Sequence, residues 1–509
     1  MKKWIWIAIG LLAAIVLISG AYVYYKLQGM VEAPQEALQY NQEKVNAVIN
    51  KQLEGMDRKS LRAKSNLILE KSVSELQTSI QEGRLTYTDL TAFYLDRIQE
   101  IDQKVDGINA VAEVNPHAME VARERDARKD KKTSDLYGMP VTLKDNINTK
   151  DMPTSAGTHA LKDFTPNEDA AVTKQLKDAG AIILAKVNLS ELANYMDPKM
   201  PSGYSSKVGQ TRNPFGPLKM TPSGSSSGSA AAVTSNIGVL SIGSETTGSI
   251  VAPAAIQSVV GFKPTKTSMD GKGIFPLASS LDTAGPIAKN VEDVVAAYRV
   301  LSLKEEGRAE LNSLKSDALK GTRIGLVNAD HELTSKLKKT LESVGAEVVD
   351  VDFDVSGLDN GKIIDNDFAR DVEDYAKTYG TPFKSLADLV AYNKKDLNVR
   401  ARYGQRFVEE AAQAKVEEGF NDRQVALAQE RLATLKRKKK LDAFVSFNNE
   451  AILLPAIAGA PEITVPFGLV DGEPQGVTFI DSVDEDAGLL QLAYAFEQAT
   501  KARLVPKIK

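Results

Sequence analysis

Three short segments of the sequence combine residue types that can do chemistry. The first, GMPVTLKDNI (138–147), places Lys144 at the end of an apolar strand pattern. The second, TPSGSSSGS (221–229), is a loop rich in serine and glycine that runs into an alanine-rich helix pattern. The third, GSETTGSIV (243–251), follows an apolar strand pattern and puts Ser249 in a turn. Each segment alone also fits an ordinary structure, namely a surface lysine, a flexible linker or a strand-to-helix turn.

The chemistry available to these segments follows from their backbone and side-chain types. A serine on a turn whose successive N–H groups converge meets the requirement of an oxyanion hole. A Ser/Gly loop that opens a helix can offer N–H groups to an anion, but no Gly-Lys-Ser/Thr follows, so it is not a Walker loop. Strand alternation would place Thr142 and Lys144 on the face opposite Val141 and Leu143.

Composition excludes several classes of protein and site. The 509 residues include 43% hydrophobic residues, which is enough for a substantial core and argues against disorder or a fibrous protein. A net charge of −4 provides no global positive field for nucleic acid. The absence of cysteine excludes disulfides, thiolate nucleophiles and iron–sulfur clusters. The three histidines, His117, His159 and His331, are scattered, so we expect no metal site and no Ser-His-Asp triad.

The N-terminus carries a membrane signal. After Lys2 and Lys3, the run from Trp4 to Tyr25 has no charged residue, and as a helix it would span about 33 Å, close to a bilayer core. Residues 1–26 are therefore predicted to be a transmembrane signal anchor. The two lysines would place the catalytic domain on the extracytoplasmic side. A signal peptide cleaved after Ser19-Gly-Ala, and hence a secreted protein, is the alternative.

The rest of the chain divides into segments that differ in the spacing of their polar and apolar residues. Residues 27–70 are polar with apolar residues at helical spacing, which predicts a helical stalk. From residue 71 to 503, helix and strand patterns alternate, which predicts a single α/β domain. Residues 300–440 are helix-rich and highly charged, and we interpret them as a variable insertion. We expect that insertion and the loops from Tyr195 to Tyr204 to build the substrate pocket.

Together and in this order, the motifs resemble the amidase signature family of Ser–cisSer–Lys hydrolases, especially its peptide-amidase-like branch. The block from the Ser/Gly loop through GSETTGSI to VGFKPT (260–265) carries the likeness. The segments GQTRNP (209–214), AGAPEITVP (458–466) and AFEQAT (495–500) agree as well. The insertion matches poorly.

The resemblance implies a catalytic role for each of the three segments. By position, Ser249 is the nucleophile, Ser225 is a bridging serine and Lys144 is the base. The peptide bond Gly224–Ser225 is expected to be cis, as it is in the family. No metal or organic cofactor is implied.

The resemblance also implies that backbone N–H groups of the turn form the oxyanion hole, those of Thr246, Thr247 and Gly248 together with the nucleophile's own. The chain departs from the family here. Many members have Asp-Thr-Gly-Gly-Ser-Ile-Arg where this chain has Glu245 to Val251. Thr247 thus restricts a position usually held by glycine, and Val251 removes a cation near the site.

A lysine can act as a base only as the neutral amine, whereas a free lysine has a pKa near 10.4. Burial away from a carboxylate lowers the pKa of the ammonium by several units. We therefore predict that Lys144 is desolvated and hydrogen-bonded to Ser225. Asp145 should point away from it, because adjacent strand residues face opposite sides.

The fold that the resemblance implies is one large α/β domain, with a mixed twisted sheet covered by helices on both faces and preceded by the transmembrane helix. The implied function is hydrolysis of a linear amide C–N bond, with a peptide amide among the candidate substrates. Expected partners are the amide substrate and the membrane, without nucleic acid. Two alternatives stay open, a catalytically silent surface or binding protein that keeps the fold and an amidotransferase-like A subunit. Export would deny the latter its cytosolic tRNA.

Overall fold

Thirteen β-strands form within residues 31–129 and 132–508, which the computed structural model describes. Eleven of them make one sheet, and two short strands pair separately. In chain order they are β1 Val111–Val114, β2 Pro140–Lys144, β3 Ile182–Val187, β4 Tyr204–Ser205, β5 Gly209–Gln210, β6 Leu240–Glu245, β7 Val260–Lys263, β8 Thr283–Ala288, β9 Arg323–Val327, β10 Glu347–Val351, β11 Ala443–Phe447, β12 Glu462–Val470 and β13 Glu473–Ile480.

The large sheet is mixed, in the order β1-β3-β2-β6-β8-β7-β12-β13-β11-β9-β10. Strands β3, β2 and β6 are parallel, and so are β11, β9 and β10. The strands between these two groups pair antiparallel. The central strands β2, β3, β6 and β8 are buried along their whole length, so both faces of the sheet are covered. The predicted mixed α/β sheet is confirmed.

Helices surround this sheet. The α-helices of the described residues are Gln42–Gln52, Arg58–Ala63, Val73–Gln81, Tyr87–Arg97, Ala118–Ala127, Ala171–Asp178, Ser227–Thr234, Val251–Ile256, Val291–Leu301, Glu305–Glu310, Thr334–Ser343, Asn360–Tyr379, Leu386–Asn393, Leu397–Arg400, Arg406–Ala411, Phe420–Lys439, Leu453–Ala458 and Asp486–Thr500. A further short segment, Glu191–Asn194, is a turn in which Leu192 and Ala193 have positive φ. Residues 300–440 are largely helical, in agreement with the sequence pattern.

The segment predicted to be a stalk is helical but packs against the domain. Asn41 Nδ2 donates to the carbonyl oxygen of Ala112 at 2.8 Å, and Lys44 pairs with Glu113 at 2.8 Å, so the segment is fastened to β1. Its apolar stripe is buried in the main core and comprises Val45, Ile49, Leu53, Leu61 and Ile68. Burial of this stripe explains why residues 41–69 lie on the body instead of projecting from it.

The predicted membrane anchor requires a correction. Across residues 31–129 and 132–508, no helix is both long enough and apolar enough to cross a bilayer. The two 20-residue helices, Asn360–Tyr379 and Phe420–Lys439, carry charged residues throughout. The segment predicted to be the anchor, residues 1–26, lies outside the described residues. The prediction of a transmembrane helix is therefore withdrawn, together with the membrane partner and the extracytoplasmic location that depended on it.

Candidate active site

Lys144 is the last residue of β2 and is fully buried. Because β2 and β6 are parallel, with Leu143 opposite Ile242, the two strands end side by side. Lys144 Nζ donates to Ser225 Oγ at 2.8 Å, to the carbonyl oxygen of Ser244 at 2.9 Å and to Ser244 Oγ at 3.0 Å. The predicted contact between the amine and Ser225 is present.

The adjacent carboxylate points elsewhere, as predicted. Asp145 lies 3.3 Å from Lys186 Nζ and 3.0 Å from Lys207 Nζ, and it accepts a hydrogen bond from Ser155. Burial alone would raise the pKa of Asp145, but the ammonium groups of Lys207 and Lys186 hold it below its usual value. Asp145 is thus neutralised by other cations and does not pair with Lys144.

Desolvation dominates the electrostatics of Lys144. Burial lowers the pKa of this amine from 10.5 to about 7, against a smaller opposing effect of the carboxylates of Asp282 and Glu245. With its pKa lowered toward neutrality, a substantial fraction of the Lys144 side chains is free amine at pH 7, whereas an exposed lysine is almost wholly charged. A neutral amine is therefore available at this position near physiological pH.

The Ser/Gly loop is packed and ordered against the end of β6. Ser225 follows a cis peptide bond with Gly224, as expected. Ser226 Oγ donates to the carbonyl oxygen of Ser244 at 3.0 Å, and the chain then enters the helix Ser227–Thr234. The linker interpretation is therefore wrong, because the loop ties itself to the same strand end that holds the lysine.

Ser249 lies on the turn that joins β6 to the helix Val251–Ile256. The N–H of Ser226 donates to the carbonyl oxygen of Ser249 at 3.0 Å, which places the turn beside the loop of Ser225. Ser249 is 7% exposed and lines a cavity of about 360 Å³. The structure thus joins the side chains of Lys144 and Ser225 directly and places the segment of Ser249 beside them through its backbone.

Glu245 organises this turn, although its position in the sequence did not indicate a functional role. Its Oε1 accepts the N–H of Gly248 at 2.7 Å, and its Oε2 accepts the N–H groups of Ile250 and Val251 at 2.6 and 3.1 Å. The N–H of Gly248, predicted as an oxyanion donor, is therefore engaged by Glu245. Use of this group by a substrate would require that bond to break.

The two threonines of the turn are fixed by their side chains. Thr246 Oγ1 donates to Asp282 Oδ1 at 2.5 Å, and Thr247 Oγ1 donates to Asn360 Oδ1 at 2.8 Å. Burial raises the pKa of Asp282 to about 6. Among the described residues, the backbone N–H groups of Thr246 and Thr247 have no acceptor, so both stay available to a ligand.

The cavity is assembled from distant parts of the chain. Its wall includes the turn 246–249, the segment 193–195 and Ser202, together with Asn360 and Ile364 of the long helix. The loops near Tyr195 and the helix-rich insertion thus contribute, as the sequence analysis expected. Within the described part of the chain, no residue of the wall carries a charge.

The histidines lie away from the cavity wall. His117 contacts Glu120 on the surface, the His159 ring bonds the Tyr392 hydroxyl, and His331 stacks on Phe447. Residues 31–129 and 132–508 contain no group of three or more His, Asp or Glu side chains that could hold a metal ion. Lys144 is the titratable side chain that the described structure places in hydrogen-bond contact with Ser225.

Comparisons with known proteins extend over most of the chain. A family model described as Amidase matches residues 89–462. A protein of Arabidopsis thaliana named as a probable amidase is 34% identical over 86% of this chain and 92% of its own length. The A subunit of the glutamyl-tRNA(Gln) amidotransferase of Exiguobacterium sibiricum is 30% identical over 87% of this chain and 100% of its own length.

Solved structures agree with these matches. The crystal structure of an amidase family protein from Bacillus anthracis has a TM-score of 0.90 and 40% identity, and the match covers 93% of this chain and 99% of that one. The native peptide amidase from Stenotrophomonas maltophilia has a TM-score of 0.82 and 35% identity, over 87% and 99% of the two chains.

Proposed function

This chain belongs to the amidase family and is a hydrolase that acts on amide C–N bonds, and we propose that Ser249 is its nucleophile, Ser225 its proton relay and Lys144 its base. The observation that carries the assignment is the 2.8 Å contact between Lys144 Nζ and Ser225 Oγ inside a desolvated site. A serine hydroxyl is a weak nucleophile unless a neighbouring base accepts its proton. A buried amine with a pKa of about 7 meets that need.

In the first half of the reaction, Ser249 Oγ attacks the amide carbonyl carbon. Its proton passes to Ser225 Oγ, whose own proton moves to Lys144 Nζ. The C–N bond then breaks, and the leaving nitrogen takes the proton back along the same path, which leaves an ester on Ser249. Water attacks this ester, gives up a proton through the same relay and releases the carboxylic acid, while Ser249 recovers its hydroxyl proton.

The negative charge that develops on the carbonyl oxygen needs fixed donors. The N–H groups of Thr246 and Thr247 suit this role, because their side chains are anchored and their N–H groups have no acceptor in the described chain. Donors of this kind are worth about 3 kcal/mol each in comparable sites. Glu245 supports these two donors, because its carboxylate accepts hydrogen bonds from the N–H groups of Gly248 and Ile250 and so fixes the turn.

The substrate is proposed to be a linear amide, with a peptide amide favoured. The likeness to a solved peptide amidase at 35% identity supports this class. The cavity adds a second argument, because Asn194, Asn360 and Asn449 offer amide groups that can bond to peptide units of an uncharged chain.

An amidotransferase A subunit is the weaker candidate. Export of the chain would have separated it from cytosolic tRNA, but this reason no longer holds once the membrane anchor is withdrawn. The remaining argument is similarity, since the amidotransferase relative shares 30% identity and the peptide amidase 35%. A catalytically silent protein is disfavoured by the complete and desolvated set of Lys144, Ser225 and Ser249.

A fluorophosphonate probe tests the proposal. We expect the wild-type protein, without any partner protein, to become labelled, with the adduct mapped to Ser249 by mass spectrometry, and to release ammonia from a C-terminal peptide amide. The control is Ser229→Ala, since the Ser229 hydroxyl is buried without a hydrogen-bond partner in the described structure. This variant should label normally. An unlabelled wild type would support the silent alternative, and an adduct on another serine would contradict the assignment.

A further inference from the structure

Three carboxylates accept hydrogen bonds from side chains of the cavity wall. Three hydroxyl groups of the wall each donate to one: Tyr195 to Asp365 at 2.9 Å, Ser202 to Glu32 at 2.9 Å and Thr246 to Asp282 at 2.5 Å. Among the described residues, no lysine or arginine forms a hydrogen bond to a side chain of this wall. The wall is uncharged, but its immediate surroundings are acidic.

Cations in the described structure do not offset these acids at the cavity wall. Lys266 and Arg370 line a separate pocket next to Asp282, and Arg370 is paired with Asp367 and Asp371. Lys144 is engaged by Ser225 and Ser244, and its burial keeps much of it in the neutral form. A negatively charged substrate would therefore enter a site without a counter-ion.

Asp365 is the carboxylate best placed to act on a substrate. It is partly buried on the helix Asn360–Tyr379, next to Ile364, which lines the cavity. In the described chain it forms no ion pair, and the hydroxyl of Tyr195 is its hydrogen-bond partner. A partly desolvated carboxylate without a cation attracts positive charge and repels negative charge.

From this arrangement, and resting on the proposed function, we propose that the enzyme selects neutral and positively charged amides over negatively charged ones, with Asp365 as the residue that sets this preference. The substrate class is thus a peptide amide without a carboxylate near the scissile bond. A cationic group on the acyl side would lie toward Asp365.

Three amides of similar length test the proposal, namely the α-amides of N-acetyl-norleucine, N-acetyl-lysine and N-acetyl-glutamic acid. Ammonia release is measured for each at pH 7.5 or near it. We expect kcat/KM for the glutamic acid amide to be at least about tenfold lower than for the norleucine amide. The lysine amide should react at least as well as the norleucine amide, and added salt should reduce the differences.

The variant Asp365→Asn removes the charge and keeps an oxygen that can accept from Tyr195. We expect it to raise kcat/KM for the glutamic acid amide, to lower it for the lysine amide and to leave the norleucine amide within about twofold. Asp374→Asn is the matched control, because Asp374 is exposed on the same helix and, in the described structure, accepts no hydrogen bond from a side chain of the cavity wall, so the ratios should not change.

The outcomes separate this inference from the function on which it rests. If the norleucine amide is hydrolysed and the three amides react equally, the charge preference is overturned while the amidase assignment stands. If Asp365→Asn changes all three rates by the same factor, Asp365 does not set the preference. If none of the amides is hydrolysed and no fluorophosphonate labelling occurs, the proposed catalytic residues themselves are wrong.

Discussion

Replacing Ser249 by alanine is expected to lower kcat for peptide-amide hydrolysis by at least about ten-thousandfold. The hydroxyl is the only group of the proposed relay that bonds to the substrate carbon, so no neighbouring side chain can substitute for it. Any rate that remains above that of the uncatalysed reaction in water would come from the N–H groups of Thr246 and Thr247 and from binding of the substrate. The measurement is steady-state ammonia release by the variant and the wild type.

The fold should survive this change, because the backbone of Ser249 makes the contact that ties the turn to Ser226 and alanine keeps it. Thermal unfolding of Ser249→Ala should therefore match that of the wild type. Ser229→Ala serves again as the control for loss of a buried serine hydroxyl and should keep full activity. Activity of Ser249→Ala within tenfold of wild type would show that another residue attacks the amide.

Replacing Lys144 by methionine is expected to lower kcat by about a hundredfold to ten-thousandfold, the range that general bases contribute. Methionine fills a similar volume and removes the group that accepts the proton from Ser225. Arginine in this position should not restore activity, because a guanidinium stays protonated. The three proteins are compared by ammonia release from the same peptide amide.

Stability distinguishes a catalytic from a structural role of Lys144. The acceptors that lose the lysine keep other donors, because the carbonyl oxygen of Ser244 accepts from Ser226 Oγ at 3.0 Å and Ser244 Oγ accepts from Asn146 at 2.9 Å in the wild-type structure. Since the folded pKa of about 7 lies below the ordinary 10.5, wild-type stability rises with pH across that interval. Lys144→Met should lack this rise and be no less stable at pH 7. A large loss of stability would point to a structural lysine.

The sequence predicted where the candidate residues lie in the fold when a motif coincides with the end of a strand. Alternation along β2 placed Lys144 correctly, and the motif resemblance placed Ser225 and Ser249, whose segments the structure brings together. The mixed sheet also followed, because βα alternation and long apolar runs are properties of the local sequence.

The residues that the sequence did not identify depend on which strands are neighbours. Ser244 contacts Lys144 because β2 and β6 pair in parallel with a particular register, and no local pattern specifies that register. Asp282 and Asn360 reach the turn from segments 36 and 113 residues away. A single sequence contains no signal for such pairings.

The segment predicted to be a stalk also shows that local sequence does not predict which surface an element packs against. The spacing of Val45, Ile49 and Leu53 correctly predicted a helix with an apolar face, but periodicity does not say what covers that face. The structure shows that the domain core covers it. Prediction of an element was therefore more reliable than prediction of its partner.

The pH dependence of kcat/KM for a neutral peptide amide tests the central claim, that a buried neutral lysine accepts the nucleophile's proton through Ser225. Because only the free amine can accept it, we expect kcat/KM to rise between about pH 5 and 8, with a midpoint close to the pKa of about 7 for Lys144. A midpoint near the 10.5 of an ordinary lysine, or a rate that does not vary across this range, would contradict the account.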